Sequence, residues 1–427
     1  MKRLLVFAVV VALSAGSGLA QPRRTVGRGG PQPLRDATID NAASCDISTS
    51  PAATLLLPYF EVEIDKHVKE AKNTIFSVIN TSRVPQIARV TVWSDEGYPA
   101  LWFNLFLTGY GVEGISMYDV LERGVIPSTS SLDPHGVKSA SNSDNPRFVN
   151  LENCGASGGE LPQTVLTSVQ SILTNGTGAA VGCRVGSQHD NATGYVTIDV
   201  VNSCSNLSPL DISYYSQVLS FDNVLTGDYE RIDPDVTTGN YAGGNPLVHL
   251  KAVPEGGGPT NKTALPYTFY DRYTPAGAKK IDRRQPLPSV FAARFIEGGE
   301  TGFKTNLMVW REGVTGATSD ECEYVKNSKL AVRGVLRFDE HENPSTIASS
   351  AVVLPSTSAT SSTAATFPPT VGNDRGGWFW LSLDNGTRPR PTQNWITVQM
   401  YAEGRYGVDF DATWLANGCT LASPAAP

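Results

Sequence analysis

Four acidic side chains, Asp228, Glu230, Asp233 and Asp235, crowd one short stretch of the chain. Carboxylates are hard oxygen ligands, and several on one turn-rich loop suit a calcium ion. The order departs from the EF-hand pattern, because Thr238 stands where that loop needs its glycine. A solvated acidic turn has the same composition. Calcium is the one metal the sequence suggests, and no other cofactor is indicated.

Trp378 and Trp380 stand two apart, on one face of a strand, with Trp395, Tyr401, Tyr406 and Trp414 following. Exposed aromatic rings so spaced form a flat platform that stacks on sugar rings, whereas the same rings turned inward are core. Glu61, Glu63 and Asp65 alternate along a strand, with neighbours about 6.6 Å apart, a separation compatible with an inverting pair of glycosidase carboxylates. The same alternation describes any wet strand face.

Two glycine motifs lose their chemistry to their context. Gly109-Tyr110-Gly111-Val112-Glu113-Gly114 fits G-x-G-x-x-G. A dinucleotide site needs a full helix opening there, and the chain offers at most Met117 to Arg123 before Pro127, so a β-turn with glycine at positive φ is expected. Gly155-Ala156-Ser157-Gly158-Gly159 fits G-x-S-x-G, but no strand-to-helix elbow surrounds it. The five histidines, His67, His135, His189, His249 and His341, form no i, i+4 pair and support no metal site.

Six cysteines, Cys45, Cys154, Cys183, Cys204, Cys322 and Cys419, include no C-x-x-C pair, which sets aside zinc-ribbon and thioredoxin chemistry. An even count suggests disulfides where the chain is exported, as its first residues lead one to expect, and six cysteines allow about 15 pairings. Cys154 with Cys183 is the expected pair, since the two bracket one compact insertion. Closing that loop would contribute roughly 3 kcal/mol by restricting the unfolded chain.

The elements that must position these groups are mostly strands. Phe60, Val62 and Ile64 alternate with Glu61, Glu63 and Asp65, and Ala88, Val90 and Val92 with Arg89, Thr91 and Trp93. Such a pattern predicts strands with one buried and one wet face. Further strands are expected at Ile75–Ile79, Phe103–Leu107 and Tyr195–Val201, then at Leu247–Val253, Phe291–Ile296, Thr305–Trp310, Leu330–Phe338, Trp378–Leu383 and Trp395–Tyr401. One helix is predicted over Gln163–Thr174, where Val165, Leu166, Val169, Ile172 and Leu173 share a face and Asn175-Gly176 supplies a stop. The fold class is therefore mainly β: two antiparallel β-sandwich-like domains, at residues 45–206 and 207–427, with a short helical insertion on the first. A Ser/Thr/Ala/Pro-rich stretch at 356–370 reads as a loop or linker, and Pro254–Thr263 as a glycine-rich one.

Residues 1–20 have the layout of a secretory signal: Lys2 and Arg3, the apolar run Leu4–Leu13, then small residues up to Ala20. That run is too short to span a bilayer, no later segment is apolar enough to do so, and residues 21–44 read as a flexible leader. The formal charge of −7 becomes −9 once the signal, with two basic and no acidic residues, is removed. So acidic a surface repels nucleic acid and anionic lipid. A secreted, periplasmic or cell-surface location is expected.

Leu55–Phe60, Leu107-Thr108-Gly109-Tyr110, Phe221–Tyr229, Asn245–His249 and Ala402–Tyr406 together carry a resemblance. Over most of its mature length the chain resembles a group of uncharacterised secreted bacterial β-rich proteins with no assigned activity. The resemblance implies export and a shared β fold, and assigns no functional residue. The function expected from all this is that of a non-enzymatic cell-surface or extracellular protein, structural or adhesive. The alternatives are a glycan-binding module using the C-terminal aromatics and a secreted hydrolase whose carboxylates converge from separate strands.

Overall fold

A computed structural model describes residues 49–127, 159–178, 182–205, 207–211, 213–234, 241–252, 282, 284–300, 302–312, 330–332, 334–347, 353–354, 357–361, 375–383, 393–402 and 406–416. The expected signal and leader, Cys45, Cys154, Ser157, Asp235, Cys322, Cys419 and Pro254–Thr263 lie outside these residues. Among the described residues, no helix is long and apolar enough to cross a membrane.

The chain is mainly β, with antiparallel sheets and few helices. It opens with β1 (Thr54–Val62), β2 (Asn73–Asn80), β3 (Gln86–Ser94), β4 (Pro99–Leu107) and β5 (Val112–Ser116). Helices α1 (Met117–Leu121) and α2 (Gln163–Asn175) precede β6 (Ala192–Val201). A π-helical turn at Tyr214–Val218 leads into β7 (Leu225–Thr226), β8 (Asp228–Asp233), β9 (Tyr241–Pro246) and β10 (Val248–Leu250). Next come β11 (Val290–Ile296), β12 (Phe303–Arg311), β13 (Leu330–Ala331), β14 (Gly334–Asp339), β15 (Pro344–Ile347) and β16 (Val353–Leu354). The series closes with β17 (Thr357–Ser361), β18 (Gly376–Ser382), β19 (Asn394–Ala402), β20 (Tyr406–Asp411) and β21 (Thr413–Ala416).

Two sheet pairs result. The first joins the order β10-β1-β6-β3-β4 to β5-β2-β8-β9, with β7 also on β2. Leu55, Phe60, Val90 and Ile198 share its core with Phe76, Val78, Ile115 and Tyr229. The second pair sets β15-β14-β18-β11-β21 against β17-β12-β19-β20. Its inner faces supply Phe291, Phe295, Phe379 and Leu381 on one side and Leu307, Val309, Ile396 and Val398 on the other. Period-2 strands with one face inward dictate this sandwich arrangement.

The boundary expected at 206/207 is corrected by strand pairing. β8 pairs with β2, placing Phe76 opposite Tyr229, and β10 pairs with β1, placing Thr54 opposite Leu250. Strands β7 to β10 thus complete the first sandwich. The two sandwiches are also not separate bodies, because Trp310 of β12 and Trp395 of β19 belong to the first core. Tyr195 stacks on Trp93 at 5.7 Å and meets Trp310 edge-on at 5.9 Å, linking the two across β6.

The single wet face expected of the early strands is also corrected. Arg89, Thr91 and Trp93 are as buried as Ala88, Val90 and Val92, since a second layer covers each face. Arg89 is accommodated because its guanidinium lies 4.6 Å from the Tyr214 ring centre and donates to the carbonyls of Ser205 and Leu207. β1 is buried along nearly its whole length and carries Pro58, which cannot donate to a ladder. Its register with β6 shifts between Leu57 and Phe60, so the proline sits in a bulge.

The predicted helix is found as α2, one residue longer, with Val165, Leu166, Val169, Ile172 and Leu173 buried and Gly176 capping it at φ 67°. At the G-x-G-x-x-G segment, Tyr110 rather than a glycine takes positive φ, at 61°. Gly109 is required for space instead: a Cβ there would fall 2.2 Å from the carbonyl oxygen of Arg83. The Ser/Thr-rich stretch begins with a strand, β17, paired with β12, rather than with a loop. Its remainder, 362–370, is outside the described residues.

Candidate functional site

β1 ends at Glu61 and Val62, still paired with Thr193 and Ala192 of β6, and the edge strand β17 lies alongside it. Two contacts fix that approach. Thr357 Oγ1 donates to the Pro58 carbonyl at 2.7 Å, and Thr357 N donates to the Asp95 carbonyl at 2.9 Å. The bulge at Pro58 thereby gives β17 an anchor, and a polar groove opens between the two strands.

One cavity of about 150 Å³ is lined by Glu61, Lys72, Arg231, Asp233, Asn306, Gln399 and others. A second, of about 270 Å³, is lined by Glu61, Asp95, His189, Asp190, Asn191, Ser358 and others. Glu61 and Ala359 line both.

Glu61 is held from several sides. Its backbone N–H donates to Thr74 Oγ1 at 3.2 Å, and its carboxylate accepts from Lys72 Nζ at 3.3 Å, from Tyr59 O–H at 3.3 Å and from Asn191 Nδ2. Lys72 also lies 3.6 Å from Asp233. Burial opposes the charge on Lys72, but Glu61 and Asp233 outweigh it and hold its pKa above the usual value. Burial first, and the Glu61 charge second, push the Tyr59 phenol well above its ordinary range. Beneath these, Arg231 donates to both carboxylate oxygens of Asp409, at 2.7 Å and 2.8 Å from one nitrogen. On the far wall, Asn306 and Gln399 are cross-strand partners, and Asn306 Nδ2 donates to Gln399 Oε1 at 3.0 Å. That bond leaves Gln399 Nε2 and Asn306 Oδ1 uncommitted to each other.

In the second cavity, His189 Nε2 lies 3.0 Å from Asp95 Oδ2, while Ser187 N donates to Asp95 Oδ1 at 2.9 Å and Ser187 Oγ to Glu96 at 3.0 Å. Ser187 is therefore bonded to carboxylates and is no histidine-activated nucleophile. Among the described residues Ser358 Oγ, on the opposite wall, is buried without a hydrogen-bond partner.

The hydrogen bond to Asp95 raises the pKa of His189 above its ordinary value, against a smaller opposing effect of burial. A raised pKa means that the folded state holds the proton more tightly than the unfolded chain. Its stabilisation is complete below about 6.5, the unfolded value, and is lost as pH rises through the higher folded value. Wild-type thermal stability should fall more between pH 6 and 9 than that of His189→Gln. Parallel melting curves for the two proteins would contradict this pairing.

Of the sequence-predicted residues, Glu61 is in the groove, but the carboxylate row is not. β1 ends at Val62, and Glu63 instead accepts from Lys66 and from the Lys72 backbone N–H. Asp228, Glu230 and Asp233 lie on strand β8 rather than a turn-rich loop. Asp228 and Glu230 are exposed, Asp228 accepts from Ser77 Oγ, and Asp233 lies at Lys72. Strand alternation puts Asp233 on the opposite face from Asp228 and Glu230. Among the described residues no three metal-ligating side chains gather into one group.

Trp378 is partly buried and stacks on Phe338 at 4.5 Å, and Trp380 is only 7% exposed, so the second ring of the expected platform is not presented. Gly334 makes room for it, since a Cβ there would lie 3.0 Å from the Trp380 ring. Cys183 and Cys204 are both disulfide-bonded, and the expected partner Cys154 is outside the described residues.

His189, Asp95, Asn191, Lys72, Asn306 and Gln399 were not legible as a set. They come from five separate stretches, His189 and Asn191 sharing one, and a strand face carries no local sign of which distant strand will face it. No family model matches the chain, and no curated protein is similar to it.

Proposed function

We propose that this chain is an exported, non-enzymatic cell-surface or extracellular protein that binds a glycan in the groove between β1 and β17. The observation that carries the reading is the composition of the groove wall. Carboxylates, side-chain amides and hydroxyls alternate around Glu61, with Tyr401 at one end. Sugar hydroxyls both donate and accept, and such a wall meets both needs within a concave site. The acidic second cavity disfavours anionic ligands.

The test is a glycan array probed with the chain lacking residues 1–20, beside Glu61→Gln and Gln399→Ala. Each substitution should weaken binding about tenfold, which corresponds to about 1.4 kcal/mol. Absence of binding to any glycan, or wild-type binding by both variants, overturns the proposal.

One observation favours a second reading. Glu61, Asp95 and Asp190 line a single cavity, as a secreted glycoside hydrolase requires. Release of reducing ends from a bound glycan, abolished in Glu61→Gln, would select it.

A further inference from the structure

We infer that the ligand is an extended oligosaccharide that occupies both cavities at once, with Glu61 at the waist. This rests on the glycan reading above and specifies its length. Taken alone, the cavities of about 150 and 270 Å³ fall below the range of about 300–1,000 Å³ usual for a small-molecule site. Together they reach it.

The two cavities adjoin at Glu61, whose side chain lines both. Glu61 Oε1 accepts from Lys72, which lines the first cavity, and from Asn191, which lines the second. A ligand that crosses this point meets one carboxylate with two donors already aligned on it. On the opposite side Ala359 of β17 likewise borders both cavities. Among the described residues β17 is the last strand of its sheet, and no further strand of that sheet closes the groove. Ser358 Oγ, buried and without a partner among the described residues, gives the second cavity a hydroxyl for the ligand.

The two ends differ in chemistry, which makes the inference testable. Gln399 and Asn306 mark the first end, and exposed Asp190 beside His189 marks the second. The probes are cello-, malto- and chito-oligosaccharides of one to six units, measured by calorimetry against the chain lacking residues 1–20. In the series that binds, affinity should rise at least tenfold between one and three units and then level off. Gln399→Ala and Asp190→Asn should each lower affinity for the trimer about tenfold. Only one of them should affect the single unit, which can occupy one cavity only. Melting temperatures close to wild type certify that both variants fold.

Equal affinity for one unit and for three overturns the inference and leaves the glycan reading standing. So does a single unit that responds to both substitutions. If none of the series binds and the array is also blank, the underlying reading fails and this inference with it.

Discussion

Asp199→Ala is expected to destabilise the fold by about 3–5 kcal/mol, the usual cost of breaking a buried ion pair from one side. Asp199 is 1% exposed and accepts from Thr54 Oγ1 at 2.6 Å and from Tyr214 O–H at 2.8 Å. Arg284, fully buried, lies 3.8 Å from it and 3.1 Å from Asp282, and also donates to Thr54 and to the Ser220 carbonyl at 3.2 Å. This network draws on β1, β6, the π-helical turn and the segment that precedes β11. Removing its central carboxylate leaves a threonine and a tyrosine hydroxyl without their acceptor in a place water does not reach. Burial, then the Asp199 charge, hold the Tyr214 phenol well above its ordinary pKa, so ionising it offers no relief. Urea unfolding followed by tryptophan fluorescence reads the effect. Asp199→Asn keeps an acceptor and should lose less. A loss under about 1 kcal/mol for the alanine variant, the size of one ordinary hydrogen bond, would show that the network is not cooperative.

The second large effect is expected at Arg231 and Asp409. Arg231 lies on β8 of the first sandwich and Asp409 on β20 of the second, with side chains 10% and 0% exposed. Their bidentate contact is a buried pair, so either single alanine substitution should again cost about 3–5 kcal/mol. The double variant should recover part of that loss, because the charge stranded by one substitution is removed by the other. A coupling energy of about 0.5–3 kcal/mol is expected from the cycle. Calorimetry adds an independent readout. Wild type should unfold in one transition, and Arg231→Ala should broaden or split it, since the pair ties the two sandwiches together. Strictly additive single losses with one sharp transition would contradict this account.

Sequence periodicity revealed what lies along one element and little about what lies across two. The helix at Gln163–Asn175 was legible because five apolar residues and a glycine stop are all local signals. Strands at β2, β4 and β6 were equally plain. The domain boundary was not, since the pairing of Asn73 with Ile232 is invisible to any short window. TSATS in β17 is small and polar and so reads as loop or linker, yet threonine is at home in a strand whose partner supplies the apolar face. Asp228, Glu230 and Asp233 looked like a turn for the opposite reason. Charge suggested solvent, but Tyr229 and Ile232 tie that strand into the sheet. At Trp380, ring spacing could not say which side was covered, and it took Gly334 across the sheet to bury it. Of the candidate site, the sequence singles out Glu61, Asp233 and Tyr401, each for a different chemistry and none as neighbours of one another.

The pairing of β1 with β10 also governs the order of events during biosynthesis. Leu55 pairs with Ile198 on one side but finds its second neighbour only when His249 has emerged, so the first sheet lacks its edge strand while nearly two hundred residues are made. Contacts so distant along the chain slow folding to roughly the millisecond-to-second range typical of all-β topologies. A polypeptide with this wiring cannot complete its first sheet until more than half of it has been made.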